Sequence, residues 1–146
     1  MKQYFQSWCA QKKAKYFPLH SAEGAVLNTG AEKIFDLSSV SYQASFGSHN
    51  SVIHDCIINQ MKSFSVASPK SDFTLKSLVT DKLLNLLQVP GKIFYTLSGA
   101  ESVENAVKMA REIKKRKIIL AQKNSYHGAS MGALSITGDW RHDHHK

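Results

Sequence analysis

The chain has 146 residues, 42% apolar and 21% charged. That is enough for one ordinary domain with a core, and it excludes an intrinsically disordered chain. The net charge is +8, from 19 basic and 11 acidic residues, which raises the question of a nucleic-acid partner.

The positive residues are spread along the chain, apart from Lys114-Lys115-Arg116-Lys117. That run falls at the end of a predicted helix, where cations offset the dipole. It lacks the interleaved aromatics and motifs of a nucleic-acid footprint, so no nucleic acid is expected. No apolar run reaches the ~20 residues a membrane helix needs, and the N-terminal MKQYFQSWCAQKK has no signal-peptide centre. Cys9 and Cys56 have no metal or redox spacing. They read as free thiols in a reducing cytosol, which makes a cytoplasmic, non-membrane protein the expectation.

In chain order, Met1 to Lys15 is polar, with Trp8 as its large anchor. A loose arm and a segment packing on a partner subunit both fit. Gly24 to Ser39 reads as a hairpin: Val26-Leu27, a turn at Asn28-Thr29-Gly30, then Ile34 to Leu37. Gly47-Ser48-His49-Asn50 leads into a helical pattern with Ile53, Ile57, Met61 and Phe64 on one face. His49 and His54 read as structural. Ser65 to Asp72 is a loop, with Pro69 forcing Ser68 to be extended. Thr74 to Gln88 is helical, with Leu75, Leu78, Val79, Leu83, Leu86 and Leu87 as its apolar set, and Pro90-Gly91 stops it.

The most informative stretch follows. Ile93 to Leu97 is a short apolar run that predicts a strand buried on both faces. Ser98-Gly99-Ala100-Glu101 is a tight turn of small residues. Val103, Ala106, Val107, Ala110 and Ile113 then recur at helical spacing, predicting a helix over about Glu101 to Lys115. Ser98 and Glu101 stand three apart, as in a capping box. Lys117 to Ala121 predicts a second buried strand, parallel to the first, and the three elements form a βαβ unit. The turn therefore sits where a strand hands over to a helix N-terminus, which suits a phosphate, and Gly99 leaves the backbone open. An ordinary capped strand–turn–helix fits the same spacing. The chain ends in a loop carrying Tyr126-His127-Gly128, then His142, His144 and His145. Those histidines read as a polar terminus rather than a metal site, so no metal is expected.

SGAESVENAVKMAR (Ser98 to Arg111) resembles the SG-A/S-E-A-x-E-x-A-x-K-x-A-R segment of class III aminotransferases, pyridoxal-phosphate enzymes of fold type I. Tyr126-His127-Gly128 resembles that family's Y/F-H-G segment, and Ala129 to Thr137 its T-x-G-A-L-S continuation. Ser21 to Gly24, Ile34 to Ser39 and Gly47 to Asn50 resemble its N-terminal landmarks, in order. Ser51 stands where proline is usual, which loses a helix-starting device but no chemistry. The likeness runs from about Tyr16 to Arg141.

The resemblance implies an α/β fold: the N-terminal part of a fold type I transferase. Residues 1–50 would be a small-domain segment with its hairpin, and 51–146 the first, truncated part of the pyridoxal-binding large domain. It implies pyridoxal 5′-phosphate as cofactor, with Gly99 and Ala100 amides on the phosphate and Tyr126 over the ring. Glu104 matches a glutamate near the cofactor; a helix-surface salt bridge explains it as well. Ser39 to Tyr42 would help shape the substrate pocket, although Tyr42 also reads as a partly buried aromatic. The loop Ser65 to Asp72 would lie near the neighbouring subunit's active site. The reaction implied moves an amino group from an ω-amino acid or diamine donor to a 2-oxo acid, in a homodimer when full length.

A pyridoxal enzyme also needs a carboxylate on the ring nitrogen and a Schiff-base lysine. The family places both well downstream, and no lysine here has a matching context, so the chain contributes no catalytic residue. Expressed alone it is expected to be poorly soluble and inactive. Two alternatives stand beside this reading: a non-catalytic α/β phosphate-binding module, although G-x-G-x-x-G is absent, and a remnant that pairs with a partner chain.

Overall fold

The structure, a computed structural model, describes residues 3–145, and the side chains of His144 and His145 lie outside what is described. The expectation for the C-terminal histidines therefore falls largely outside the described residues. The chain forms two compact units, Met1–Ser71 and Asp72–Lys146.

The first unit is built on an antiparallel meander: β1 (Ser21–Glu23), β2 (Val26–Asn28) and β3 (Lys33–Phe35). The predicted hairpin is β2–β3, with Leu27 opposite Ile34. Its turn closes on side chains as well as backbone. Asn28 Oδ1 accepts from Gly30 N at 2.9 Å, and Thr29 Oγ1 accepts from Glu32 N at 3.1 Å. Leu27 and Thr29 are buried here. The expected landmarks meet at this sheet. Gly24 N donates to His49 O, and Ser48 N to Gly24 O. A Cβ on Gly47 would come within 2.7 Å of the Gly24 backbone, so glycine is required for that approach.

After β3 the chain makes a four-residue helical turn, α1 (Ser39–Tyr42), in the left-handed region, with φ of 51°, 48°, 57° and 73°. None of the four is glycine, and Val40 is β-branched, so the turn is strained. Asp36 holds it. Its carboxylate accepts from Ser38 N, Ser38 Oγ and Val40 N at 2.7–3.0 Å. The Ser38 hydroxyl first, and then these backbone N–H groups, keep the Asp36 carboxyl below its ordinary value. Tyr42 is 91% exposed. The unit ends with α2 (Ser51–Ser63), N-capped by Asn50 Oδ1 on Ile53 N. The stripe Ile53, Ile57, Met61 and Phe64 is exposed rather than packed on a core.

The second unit contains α3 (Thr74–Leu87), α4 (Gly99–Lys114), α5 (Met131–Ser135) and a 3-10 turn at Trp140–His145. α3 ends on Gln88 in the left-handed conformation, two residues before Pro90, as the breaker predicts. α4 ends on left-handed Lys115. It packs against α5, and α5 against the 3-10 turn, burying Val107, Ala133, Leu134 and Thr137.

The two predicted parallel strands are not formed. Ile93 to Leu97 and Lys117 to Ala121 are neither helical nor paired, and no backbone hydrogen bond joins them. A strand is defined by its ladder, and among the described residues no strand lies beside either segment to supply one. Their polar groups turn to side chains instead: Leu97 N donates to Glu101 Oε2, and Lys117 O accepts from Arg111 Nε. The apolar side chains stay uncovered, Ile118 at 82% and Leu120 at 94% exposure.

Candidate cofactor site

The site is built on the start of α4. Ser98 is the N-cap, in extended backbone, and its Oγ accepts from Glu101 N at 3.2 Å. The Glu101 carboxylate completes a shifted capping box: it accepts from Leu97 N at 3.0 Å, one residue before the cap. Two of the first-turn N–H groups are thereby left over. Gly99 N and Ala100 N have no partner among the described residues, and a Cβ on Gly99 would meet nothing within 4 Å. A sixteen-residue helix thus presents two free donors and its positive end to an open face. Those features fit an anion such as a phosphate.

The loop Tyr126-His127-Gly128 is brought to this helix end. Gly128 is buried at φ 138°, and a Cβ there would lie 2.7 Å from Ala100 Cβ and 2.9 Å from Ala133 Cβ. Only glycine lets the loop close on Ala100. Thr137 fixes the other side. Its buried Oγ1 donates to Ala133 O and accepts from His127 N, at 3.0 and 3.1 Å. Gly138 pairs with Asn124 and Ser125 through backbone bonds. Tyr126 is 44% exposed, and Arg141 covers one face of its ring. Gly128 thus brings the loop that carries Tyr126 to Ala100, at the start of α4.

Glu104 has a role of its own. Its Oε1 accepts from Gly132 N at 2.7 Å and Ala133 N at 3.2 Å, so it holds the N-terminus of α5. No salt bridge involves it among the described residues. The nearby Ser130 hydroxyl is the largest influence on its carboxyl, although Ser130 Oγ makes no hydrogen bond of ordinary geometry. With the two N–H groups it keeps the carboxyl below its ordinary value, against partial desolvation. Gly132 is tied to this contact, since a Cβ there would collide with the Glu104 carboxylate. Gly128 and Thr137 stand inside the quoted motifs, but motif reading gave neither of them a role. The glycine after His127 and the Thr-Gly pair after a short helix were the available signals.

The family model for class-III aminotransferases matches residues 9–146, nearly the whole chain. The chain belongs to the class-III aminotransferases. One relative is the LysW-aminoadipate semialdehyde/glutamate semialdehyde transaminase of Sulfurisphaera tokodaii, 32% identical over 145 residues, covering 88% of this chain and 36% of the relative. An acetylornithine aminotransferase from Streptomyces clavuligerus is 38% identical over 60 residues, 41% of this chain and 15% of the relative. Among solved structures, the taurine:2-oxoglutarate aminotransferase of Bifidobacterium kashiwanohense, in complex with pyridoxal phosphate and glutamate, superposes with a TM-score of 0.88. It is 30% identical, and the match covers 96% of this chain and 32% of that one. The chain thus spans about a third of the length of these longer class-III relatives. Its fold is that of the N-terminal portion of fold type I pyridoxal-phosphate aminotransferases. Among the described residues no helix is long and apolar enough to cross a membrane, and no cluster could hold a metal ion.

Proposed function

We propose that this chain is the N-terminal portion of a pyridoxal-phosphate aminotransferase, and that it supplies the phosphate cup and the ring-stacking side chain. The observation that carries the reading is the pair of N–H groups on Gly99 and Ala100, unpaired among the described residues, beside a loop that Gly128 seats against Ala100. Gly99 and Ala100 donate to the cofactor phosphate. The Tyr126 ring, with the Arg141 guanidinium over it, stacks on the pyridine ring. When bound, the cofactor acts as an electron sink for the amino-bearing carbon. The residues of this chain bind and orient it and move no proton.

The donor is an ω-amino acid or a diamine, and the acceptor a 2-oxo acid. Taurine and diaminobutyrate, which appear in the names of two related proteins, are amines with an acid group elsewhere in the molecule, and both of those enzymes are named for 2-oxoglutarate. The division into a small-domain segment (1–50) and the start of the large domain (51–146) belongs to the same reading of the longer enzyme. So do a homodimer and a cytoplasmic location. The exposed stripe of α2 and the uncovered segments around Phe94 and Leu120 are the surfaces that further sheet strands and a partner subunit would cover.

The cofactor-bonding lysine lies outside these residues, so residues 1–146 alone turn over no substrate. The test supplies pyruvate or 2-oxoglutarate, pyridoxal phosphate and a panel of diamine and ω-amino acid donors to the complete enzyme and to residues 1–146. Alanine or glutamate is expected from the first and neither from the second. Either product from residues 1–146 at enzyme-like rates overturns the assignment of roles, and neither product from the complete enzyme with any donor overturns the activity.

A further inference from the structure

The geometry points to Arg141 as a positioning residue for the cofactor-stacking face of Tyr126. This rests on the reading of Tyr126 given above. The Arg141 guanidinium carbon lies 4.6 Å from the centroid of the Tyr126 ring and 5.0 Å from that of Trp140. Both distances are in the range of cation–π contact, so the cation stands between two aromatic faces. It is not free to leave them. Asp139 Oδ2 forms an ion pair with Arg141 Nη1, and Asp139 Oδ1 accepts from Arg141 N at 2.9 Å. The pair is mostly shielded, with 26% of the Arg141 and 16% of the Asp139 side chain exposed.

The backbone has the same sense. Gly138 N donates to Ser125 O, and Asn124 N to Gly138 O, so Asp139 begins where the strand-like pairing with the Tyr126 loop ends. The carboxylate aims the guanidinium, and the guanidinium backs the ring. Contact with a held cation restricts the χ1 and χ2 of the ring, which lowers the ordering cost each time a ligand stacks on it. A planar, delocalised cation suits this place better than a lysine ammonium, because it can stack on both rings while still binding a carboxylate.

The experiment is a double-mutant cycle on the complete enzyme, read by calorimetric titration with pyridoxamine 5′-phosphate, which has the ring and phosphate but no aldehyde. Arg141→Ala is expected to weaken binding about 2- to 5-fold, the range of a partly exposed cation–π contact. Arg141→Lys should recover part of that loss. In a Tyr126→Ala background, Arg141→Ala should have no further effect, because there is no ring left to orient; a merely structural role would persist there. Unchanged circular dichroism and melting temperature exclude unfolding as the cause. Tyr126→Ala weakening binding while Arg141→Ala does not, or the Arg141 effect surviving in the Tyr126→Ala background, overturns the role of Arg141 alone. An unchanged affinity in Tyr126→Ala overturns the stacking assignment and the role of Arg141 with it.

Discussion

Gly99→Asp separates the electrostatics of the proposed phosphate cup from the folding of the helix that would make it. The substitution is sterically free, since a Cβ there meets nothing within 4 Å. It is also locally favourable, because a carboxylate in the first turn of α4 interacts with the helix dipole by about 0.3–1 kcal/mol. The fold is therefore kept while the charge at the donors is reversed. With the carboxylate about 5 Å from a phosphate dianion, repulsion is about 0.8 kcal/mol per charge in water, or about 1.7 kcal/mol for the dianion. An effective dielectric of about 20 would raise this about fourfold; the exposure of Gly99 favours the lower figure. The loss of affinity is then at least about tenfold. The assay titrates the wild-type and Gly99→Asp complete enzymes with pyridoxamine phosphate and with pyridoxamine, which lacks the phosphate. The phosphate-bearing ligand should lose its affinity and the other should be nearly unaffected, with the difference shrinking as salt is raised. Equal losses for both ligands, or none for either, would refute the cup.

Val40→Gly relieves a left-handed residue, a gain of about 1–2 kcal/mol, against about 0.5–1 kcal/mol of added chain entropy. The midpoint of urea unfolding should rise accordingly; a fall would show that α1 is not strained. For Glu104 the folded carboxyl lies below its ordinary 4.5, so its contribution is full above that value and is lost as pH falls through the lowered one. Glu104→Gln should be less stable than wild type at pH 7, with the gap closing below about pH 4.5; a gap independent of pH would remove the charge from the explanation. Residues 1–146 alone should elute from size-exclusion chromatography as aggregate, because Ile118, Leu120 and the α2 stripe are uncovered, and a clean monomer would contradict this.

The three long helices, α2, α3 and α4, were legible because periodicity and caps are local; the five-residue α5 was not. Ser98 and Glu101 fixed the start of α4, and Pro90 with Gln88 the end of α3. The hairpin was legible from its Asn28-Thr29-Gly30 turn. β1 was not, since Ser21-Ala22-Glu23 has no apolar alternation and pairs because β2 offers an edge. The two apolar runs misled for the opposite reason: composition shows that a segment suits a sheet, but the ladder has to come from neighbours. The left-handed turn at Ser39 to Tyr42 was illegible, because serine, valine and tyrosine all argue against positive φ and the compensation comes from Asp36. In the site, Gly99, Ala100 and Tyr126 were visible as motif positions. The Glu104–Gly132 contact, which spans 28 positions of sequence, leaves no periodic trace.

That contact also closes a circuit. Glu104 on α4 holds α5, Thr137 joins α5 to His127, and Gly128 returns the chain to Ala100 at the head of α4. A closed linkage of this kind shares any displacement among all its joints. The free amides at the head of α4 and the loop that carries Tyr126 are therefore geared to each other, and neither can be retuned by a substitution that leaves the other untouched. A lengthened or shortened 129–136 segment would shift both in a single step.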